Sequence, residues 1–206
     1  MDSFIKIVLE RNYRNLIVDI RGNSGGSLEG GITLASYLVQ KQEPTGVYLT
    51  QAWFNKHGVP PTALEMEAMP AFTKADLEAF TLELEEKGIV VLKAKPGPQQ
   101  FKGNLFLLTD RKSASACEPL TWNLKNTGRA LVVGEPTAGA MLSAESYQVC
   151  SGFIAVIPNA DYYTPAGNRL DLVGVKPHVE VKSAKALDYV LQQIQGNHQT
   201  SSFQAQ

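Results

Sequence analysis

Two short apolar runs in this sequence each end in a turn of small residues that leads directly into a helical pattern. The first run spans residues 15–20 and precedes the turn Arg21-Gly22-Asn23-Ser24-Gly25-Gly26. The second spans residues 104–109 and precedes a serine-rich turn. Continuous apolar runs of this length, bounded by turn residues, are typical of buried strands. The sequence therefore predicts an α/β fold with both turns at the junction of a strand and a helix, where ligands tend to bind.

Composition excludes several classes of protein. The chain has 206 residues, of which 44% are hydrophobic, enough for one large or two small domains that bury roughly 70% of the unfolded surface. A formal net charge of -1 leaves no basic excess for nucleic acid. No apolar run approaches the roughly 20 residues of a membrane-spanning helix, and the first 15 residues do not form a signal sequence. The two cysteines, Cys117 and Cys150, are too few for a disulfide framework and leave the compartment open.

Hydrophobic periodicity and capping or turn residues predict further helices and strands. Ser27 is a predicted N-cap for a helix with Leu28, Ile32, Ala35 and Val39 on its apolar face. We also expect strands at 46–50, 130–133 and 153–157, a helix at 116–126, and an amphipathic terminal helix marked by Leu187, Val190, Leu191 and Ile194. Residues 196–206, rich in Gln and Ser, are expected to be a flexible tail.

Residues 53–95 differ in character from the rest of the chain. They contain three prolines before residue 71 and a helical pattern of Leu77, Phe80 and Leu84 on an otherwise acidic background. This pattern favours a mostly helical excursion from the main sheet with a solvated amphipathic helix. Either a lid or a surface insertion fits the pattern.

The serine-rich turn, Ser113-Ala114-Ser115-Ala116-Cys117-Glu118, could present a hydroxyl at the positive end of the helix that follows. Such a serine could equally be an N-cap and nothing more. The glycines at 22–26 pose the same choice, because glycine pairs serve backbone geometry as well as exposing N–H groups to an oxyanion. Neither turn decides the function when taken alone.

Three segments in order resemble the catalytic core of the tail-specific, or C-terminal processing, serine peptidase family. They read LIVDIRGNSGGSLEGGITLASYLV, LFLLTDRKSASACEPLTWNLKNTGRALVVGEPTAGAM and YYTPAGNRLDLVGVKPHVEV. The combination is far more specific than any one motif. The resemblance implies the spiral β/α core of the ClpP/crotonase superfamily, as a single peptidase-core domain at 1–195 with the insertion at 53–95.

The resemblance also implies a catalytic set. The family's nucleophile matches Ser115, and its oxyanion hole matches backbone N–H groups of Gly25 or Gly26 and of Ala116. Cys117 stands where many members have a second serine and is by analogy a bystander. No cofactor or metal is implied, and the expected substrate is a peptide or unstructured protein. The resemblance favours a periplasmic or other extracytoplasmic location. The sequence does not indicate the oligomeric state.

The sequence departs from the serine–lysine members at the base position. Their lysine lies in a GE-x-T-x-G-K segment, where this chain ends in Ala140, and an aspartate of some members is replaced by Asn126. The chain therefore resembles the non-lysine branch, which includes tricorn-like and retinoid-binding-protein-like members. Tricorn-type members take a histidine from a segment before the glycine-turn strand. Since only about 15 residues precede that strand here, we expect such a segment to be missing.

The chain offers few candidates for the general base, and the sequence evidence for each of them is weak. His57 could swing over the site from the insertion, and His178 replaces an acidic residue that is usual in the family. Asp171 stands close to where the tricorn type places an acid that orients its base, so it is a candidate supporting acid, with Glu145 a weaker one. Lys112 and Lys125 are most simply solvated charges.

Three functions remain open from the sequence. The leading one is a serine endopeptidase core that is incomplete in this chain, and the alternative is a non-catalytic module of the same fold that binds a peptide or an apolar ligand. A crotonase-type acyl-CoA enzyme shares the twin oxyanion donors but would not need Ser115.

Overall fold

A computed structural model of the protein describes residues 2–26, 28–74 and 76–202. The helices are α1 (Asp2–Glu10), α2 (Leu28–Leu38), α3 (Gln51–His57), α4 (Ala63–Ala68), α5 (Leu77–Lys87), α6 (Cys117–Asn126) and α7 (Ser183–Ser202). The strands are β1 (Asn15–Asp19), β2 (Glu43–Thr50), β3 (Ile89–Ala94), β4 (Asn104–Thr109), β5 (Ala130–Gly134), β6 (Ser143–Cys150), β7 (Phe153–Tyr163) and β8 (Val179–Glu180). They form two four-stranded sheets, in the orders β1-β4-β5-β8 and β3-β2-β7-β6.

The first sheet is parallel and covered on both faces. Leu105 and Leu107 of β4 pack in one cluster with Leu38 of α2 and Leu124 of α6. Phe106 and Leu108 pack on the opposite face with Ala186 and Val190 of α7. Because successive side chains of a strand alternate between faces, a strand buried on both sides reads as a continuous apolar run. That packing explains why β1 and β4 can be predicted from their apolar runs. The predicted α/β class is confirmed.

The insertion is mostly helical, as predicted, but it also supplies the edge of the second sheet. Strand β3 pairs antiparallel with β2, and β2 pairs antiparallel with β7. Phe80 and Leu84 of α5 are buried in a cluster with Tyr48 of β2, so α5 is a core helix on this sheet. Phe80 and Leu84 thus form the buried apolar face of the amphipathic helix that the sequence predicts. Leu77, which the pattern placed on the same face, is instead 70% exposed at the start of the helix.

The hairpin of β6 and β7 projects from the second sheet. Strand β7 pairs with β6 from Phe153 to Ala160, and with β2 from Ala160 to Tyr163. The strand predicted at 153–157 is therefore present. Its apolar side chains do not enter the core, however, and Phe153 is 68% exposed.

The two ends of the chain are helical. Helix α1 was not predicted and buries Ile5 and Val8. Helix α7 buries Ala186 and Val190 and runs to Ser202, through part of the segment expected to be a tail. The predicted N-cap Ser27 and the last residues of that tail, 203–206, lie outside the described residues. Within the described ranges, no helix combines the length and apolar character that crossing a bilayer requires.

Candidate active site

The glycine turn and the serine-rich turn lie side by side because β1 and β4 are parallel neighbours in register, with Asp19 opposite Leu108. Hydrogen bonds then join the turns directly. Ser113 Oγ donates to the carbonyl of Ile20 at 2.8 Å, and the N–H of Ala114 donates to the carbonyl of Asn23 at 3.0 Å. Two turns that are 90 residues apart in sequence thus form one rigid platform at the carboxyl edge of the sheet.

Asp110 is the carboxylate that binds these turns together. Its Oδ1 accepts the N–H groups of Gly22 at 3.0 Å, Lys112 at 2.9 Å and Ser113 at 3.0 Å. Burial alone would raise the pKa of Asp110, but these backbone donors and the Ser113 hydroxyl outweigh it, so the pKa lies below its ordinary value. Sequence analysis did not single out Asp110. An Asp directly after a buried strand is the signal that could have found it.

Ser115 sits in a strained backbone conformation between β4 and α6. Its φ angle is 55°, in the left-handed region that non-glycine residues rarely adopt. It is half-buried and lies against Gly25, where an added Cβ would be 2.7 Å from the Cβ of Ser115 and 3.2 Å from the nitrogen of Ala116. Only glycine fits at position 25. Strain of this kind is found at sites where the surrounding structure holds a residue in place for function.

The residues that follow Gly25 and Ser115 each carry a backbone N–H that is available to bind an anion. The N–H of Gly25 donates to Asn23 Oδ1 at 3.0 Å, and the N–H of Ser115 is also occupied. In the part of the chain that the structure describes, the N–H groups of Gly26 and Ala116 have no hydrogen-bond partner. Of the oxyanion donors that the resemblance implies, Gly26 and Ala116 are therefore the available pair.

Cys117 opens helix α6, with its Sγ 3.8 Å from the carbonyl oxygen of Asn23. Burial raises the pKa of the thiol, despite a nearby N–H of Gly25 that lowers it. A thiol with a raised pKa is protonated at neutral pH and is a poor nucleophile.

Glu118 was missed by sequence analysis and is the most constrained side chain of the site. It is fully buried. Its Oε1 accepts the N–H groups of Ser115 and Ala140, and its Oε2 accepts the N–H of Gly139 and the hydroxyl of Thr137. A glutamate three residues after a serine at a helix start is the available sequence signal.

The position that matches the family's lysine is close to the serine but carries no base. Ala140 is exposed, and its backbone N–H is held by Glu118 at 3.0 Å. The candidate supporting acid Asp171 is buried, where its Oδ1 accepts the N–H of Met141 at 3.1 Å and its Oδ2 pairs with Arg169 at 3.0 Å. These contacts place Asp171 beside the same segment, with both oxygens occupied.

The other candidate bases have partners elsewhere. The ring of His57 stacks on Trp53 with centroids 3.9 Å apart. The Nδ1 of His178 accepts the N–H of Val132 at 3.1 Å, and burial together with Lys125 lowers the pKa of that imidazole. Glu145 on β6 accepts hydrogen bonds from Tyr147 and Asn159. Lys112 is exposed in the serine-rich turn, and Lys125 lies in the last turn of α6.

Two apolar cavities adjoin Ala116. One of about 190 Å³ lies between α2 and α6 and is lined by Leu34, Leu107 and Leu120 among others. The second, of about 70 Å³, is lined by Tyr48, Phe72 and Pro119 among others. Both could receive small apolar groups next to the available N–H pair. Among the described residues, no cluster of three or more His, Cys, Asp or Glu side chains could hold a metal ion.

Comparison with solved structures identifies the architecture. The photosystem II D1 C-terminal processing protease superposes with a TM-score of 0.60 at 24% identity, over 88% of this chain and 38% of that chain. Mature CPAF superposes with a TM-score of 0.65 at 21% identity, over 90% of this chain and 43% of that chain. At these identities the likeness shows the fold, which is the ClpP/crotonase-like core.

Curated relatives and a family model agree with that architecture. The chloroplastic C-terminal processing peptidase of Tetradesmus obliquus is 26% identical over 172 residues, which are 84% of this chain and 30% of that protein. The carboxy-terminal processing protease CtpB of Bacillus subtilis is 25% identical over 184 residues, which are 88% of this chain and 31% of that protein. The chain thus spans about a third of the length of these relatives. The model of peptidase family S41 matches residues 1–181, and the chain belongs to that family.

Proposed function

We propose that this chain is the core of a serine-type endopeptidase in which Ser115 is the nucleophile. The observation that carries the proposal is the placement of Ser115: it lies in a strained conformation at the start of α6, beside two available N–H groups. Membership of peptidase family S41 supports the same reading. The proposed unit is a single peptidase-core domain at residues 1–195, with residues 53–95 as its insertion.

The proposed reaction is acyl transfer from a peptide. The Oγ of Ser115 attacks the scissile carbonyl carbon and loses its proton to a base, while the carbonyl oxygen becomes an oxyanion held by the N–H groups of Gly26 and Ala116. Collapse of this intermediate breaks the C–N bond, and the departing amine takes the proton. Water then hydrolyses the acyl-serine by the same steps and releases the second product.

The base is the missing part of this scheme. Ala140 occupies the position of the lysine, and the described partners of His57, His178 and Asp171 do not include Ser115. Oxyanion stabilisation and binding alone leave about 10³- to 10⁴-fold acceleration over water in serine proteases that have lost a triad member. We therefore expect the chain by itself to hydrolyse peptides slowly.

The second candidate is a non-catalytic binding module, favoured by the apolar cavities beside Ala116 together with the alanine at position 140. Its ligand would be a peptide or an apolar molecule whose carbonyl or carboxylate oxygen meets the N–H groups of Gly26 and Ala116. It differs from the peptidase in that Ser115 would have no covalent chemistry.

We also propose a substrate and a location for this chain, by analogy with its relatives. These relatives are named as processing proteases that act at a carboxyl terminus. We propose a peptide or an unstructured protein segment as the substrate of this chain, and an extracytoplasmic or organellar location of the kind that the chloroplastic relatives have.

A fluorophosphonate probe tests the proposal, because a serine beside an oxyanion hole is phosphonylated faster than the other serines of the chain, even without a base. After prolonged incubation we expect one adduct, located by mass spectrometry on Ser115. It should be absent from Ser115→Ala and retained within about threefold in Cys117→Ser. A chain that binds peptides but forms no adduct would be the binding module, and an adduct lost in Cys117→Ser would move the nucleophile to the cysteine.

A further inference from the structure

The buried carboxylate of Glu118 has its entire hydrogen-bonding capacity used by donors from two separate segments. Ser115 and Ala140 donate to Oε1 at 3.1 and 3.0 Å, and Thr137 and Gly139 donate to Oε2 at 2.6 and 3.0 Å. An ionised carboxylate offers about four acceptor positions. None of the ion pairs among the described residues includes Glu118, so these dipoles are its compensation for burial.

Glu118 also releases the Ser115 hydroxyl from capping the helix. The N–H of Glu118 donates to the carbonyl of Ser115 at 2.8 Å, while the Glu118 carboxylate reaches back to the N–H of Ser115. In a full capping box the serine hydroxyl would accept that N–H of Glu118, but here the backbone carbonyl does so. Among the described residues, Ser115 Oγ has no hydrogen-bond partner. The N-cap interpretation of this serine is therefore not what the structure shows.

The second segment that Glu118 holds is the one that carries residue 140. Thr137, Gly139 and Ala140 lie in the loop between β5 and β6, where Gly139 has a φ of 69°. Three of its polar groups converge on the one carboxylate. Removing the carboxylate would leave these donors and the N–H of Ser115 without their acceptor, and would free both segments to move.

Glu118 is not itself a base for Ser115. All of its acceptor positions are taken, and taking up a proton would cost at least one of those four hydrogen bonds in a buried site. Its contribution has to act through the residues that it holds.

We infer that Glu118 is a positioning residue that fixes Ser115 and the segment 137–140 relative to each other, and so sets the geometry between the nucleophile and residue 140. The catalytic consequence of this inference rests on the proposed function. The geometric part does not, because it concerns hydrogen bonds that exist whether or not the site reacts.

Amide hydrogen exchange of the full wild-type chain tests the geometric part. We expect the amides of Ser115, Gly139 and Ala140 to be protected at least tenfold more than those of Gly26 and Ala116, which have no hydrogen-bond partner among the described residues. Exchange of Ser115 and Ala140 at the rate of Ala116 would overturn the inference. This measurement needs no variant, so a misfolded mutant cannot obscure it.

Labelling kinetics test the catalytic part, in chains that carry Ala140→Lys to supply a base. We expect Glu118→Gln in this background to lower the rate of fluorophosphonate labelling at Ser115 about 10²-fold, since a glutamine presents N–H groups where Gly139 and Thr137 need an acceptor. Glu135→Gln is the matched control. It makes the same chemical change at a half-exposed site two residues before Thr137, and should stay within about threefold of its parent.

The outcomes separate the two claims. Equal labelling with and without Glu118→Gln would overturn the positioning role in catalysis. An Ala140→Lys parent that is never labelled, with protected amides in the wild type, would refute the proposed peptidase and leave the geometric role of Glu118 intact.

Discussion

The backbone N–H groups of Ser115 and Ala140 donate to the same oxygen atom, Oε1 of Glu118, at 3.1 and 3.0 Å. Their nitrogens therefore lie within about 6 Å of each other, since neither hydrogen bond is longer than normal. This relationship places the position that carries a lysine in other members of the family beside the candidate nucleophile. In the proposed peptidase, a base at residue 140 would therefore lie near Ser115, although residue 140 itself is an alanine.

Close packing of the two turns makes Gly25 irreplaceable. We expect Gly25→Ala to lower the free energy of unfolding by about 3 kcal/mol, because the new Cβ would meet Ser115 at 2.7 Å in addition to a strained φ of 98°. Gly22→Ala is the control in the same turn, with a φ of 72° and nothing within 4 Å of the added Cβ, and should cost about 1 kcal/mol. Urea denaturation measures both. Equal losses would show that the contact with Ser115 is absent.

Strain at Ser115 should be visible as a stability cost. Replacing Ser115 by Gly is expected to raise the free energy of unfolding by about 1 kcal/mol, because glycine adopts a φ of 55° without steric penalty. Ser115→Ala keeps the Cβ and should change it by less than about 0.5 kcal/mol. Thermal unfolding would show the gain as about 2–4 °C. A stabilising Ser115→Ala with a neutral Ser115→Gly would contradict the assigned backbone conformation.

The platform of the two turns should weaken in acid. Since the pKa of Asp110 is lowered in the folded chain, its carboxylate stabilises the fold above the unfolded-state value of about 4, and this contribution is lost as pH falls through the folded-state value. Asp110→Asn should therefore be less stable than wild type by about 1–2 kcal/mol at pH 7, with a gap that closes below about pH 4. If the stability difference between Asp110→Asn and the wild type stayed unchanged down to pH 2, the stabilisation would not come from the charge of the carboxylate.

The two cysteines should differ in reactivity. Cys150 is exposed on the hairpin, whereas Cys117 is half-buried with a raised thiol pKa. We expect iodoacetamide at pH 8 to modify Cys150 at least tenfold faster, as measured by peptide mapping. Faster modification of Cys117 would indicate an activated thiol at the site and would reopen the assignment of the nucleophile.

The helices and strands that were predicted correctly are those in which the apolar pattern of the sequence matches the burial of the side chains in the structure. Strand β4 is buried on both faces and β1 packs against the same two clusters, so their apolar runs are unbroken. The turns that follow are marked by glycine and serine. Strand β3 was hidden inside a segment dominated by helix signals, because its partner β2 lies about 40 residues earlier in the chain. Strand pairing between distant segments does not produce a pattern in the local sequence.

Only part of the candidate site could be predicted from the sequence, because one of its residues depends on contacts with a distant segment. Ser115 and the glycines of the turn are recognisable from motif and spacing, whereas Glu118 reads as an ordinary charged residue on a helix, and such residues are almost always exposed. Its burial depends on donors from residues 137–140, which reach it through the fold alone. The hairpin shows the opposite case, because the apolar residues near Phe153 read as core and are exposed.

The central claim is that Ser115 lies in a competent nucleophile site that lacks only a base, and Ala140→Lys tests it most directly. The rate of fluorophosphonate labelling at Ser115, followed by mass spectrometry, should rise by about 10²-fold or more over the wild-type chain, since a positioned base contributes 10²- to 10⁴-fold. Ser115→Ala in the same background should abolish the adduct. A rate equal to that of the wild-type chain, in a variant that folds normally, would contradict the claim.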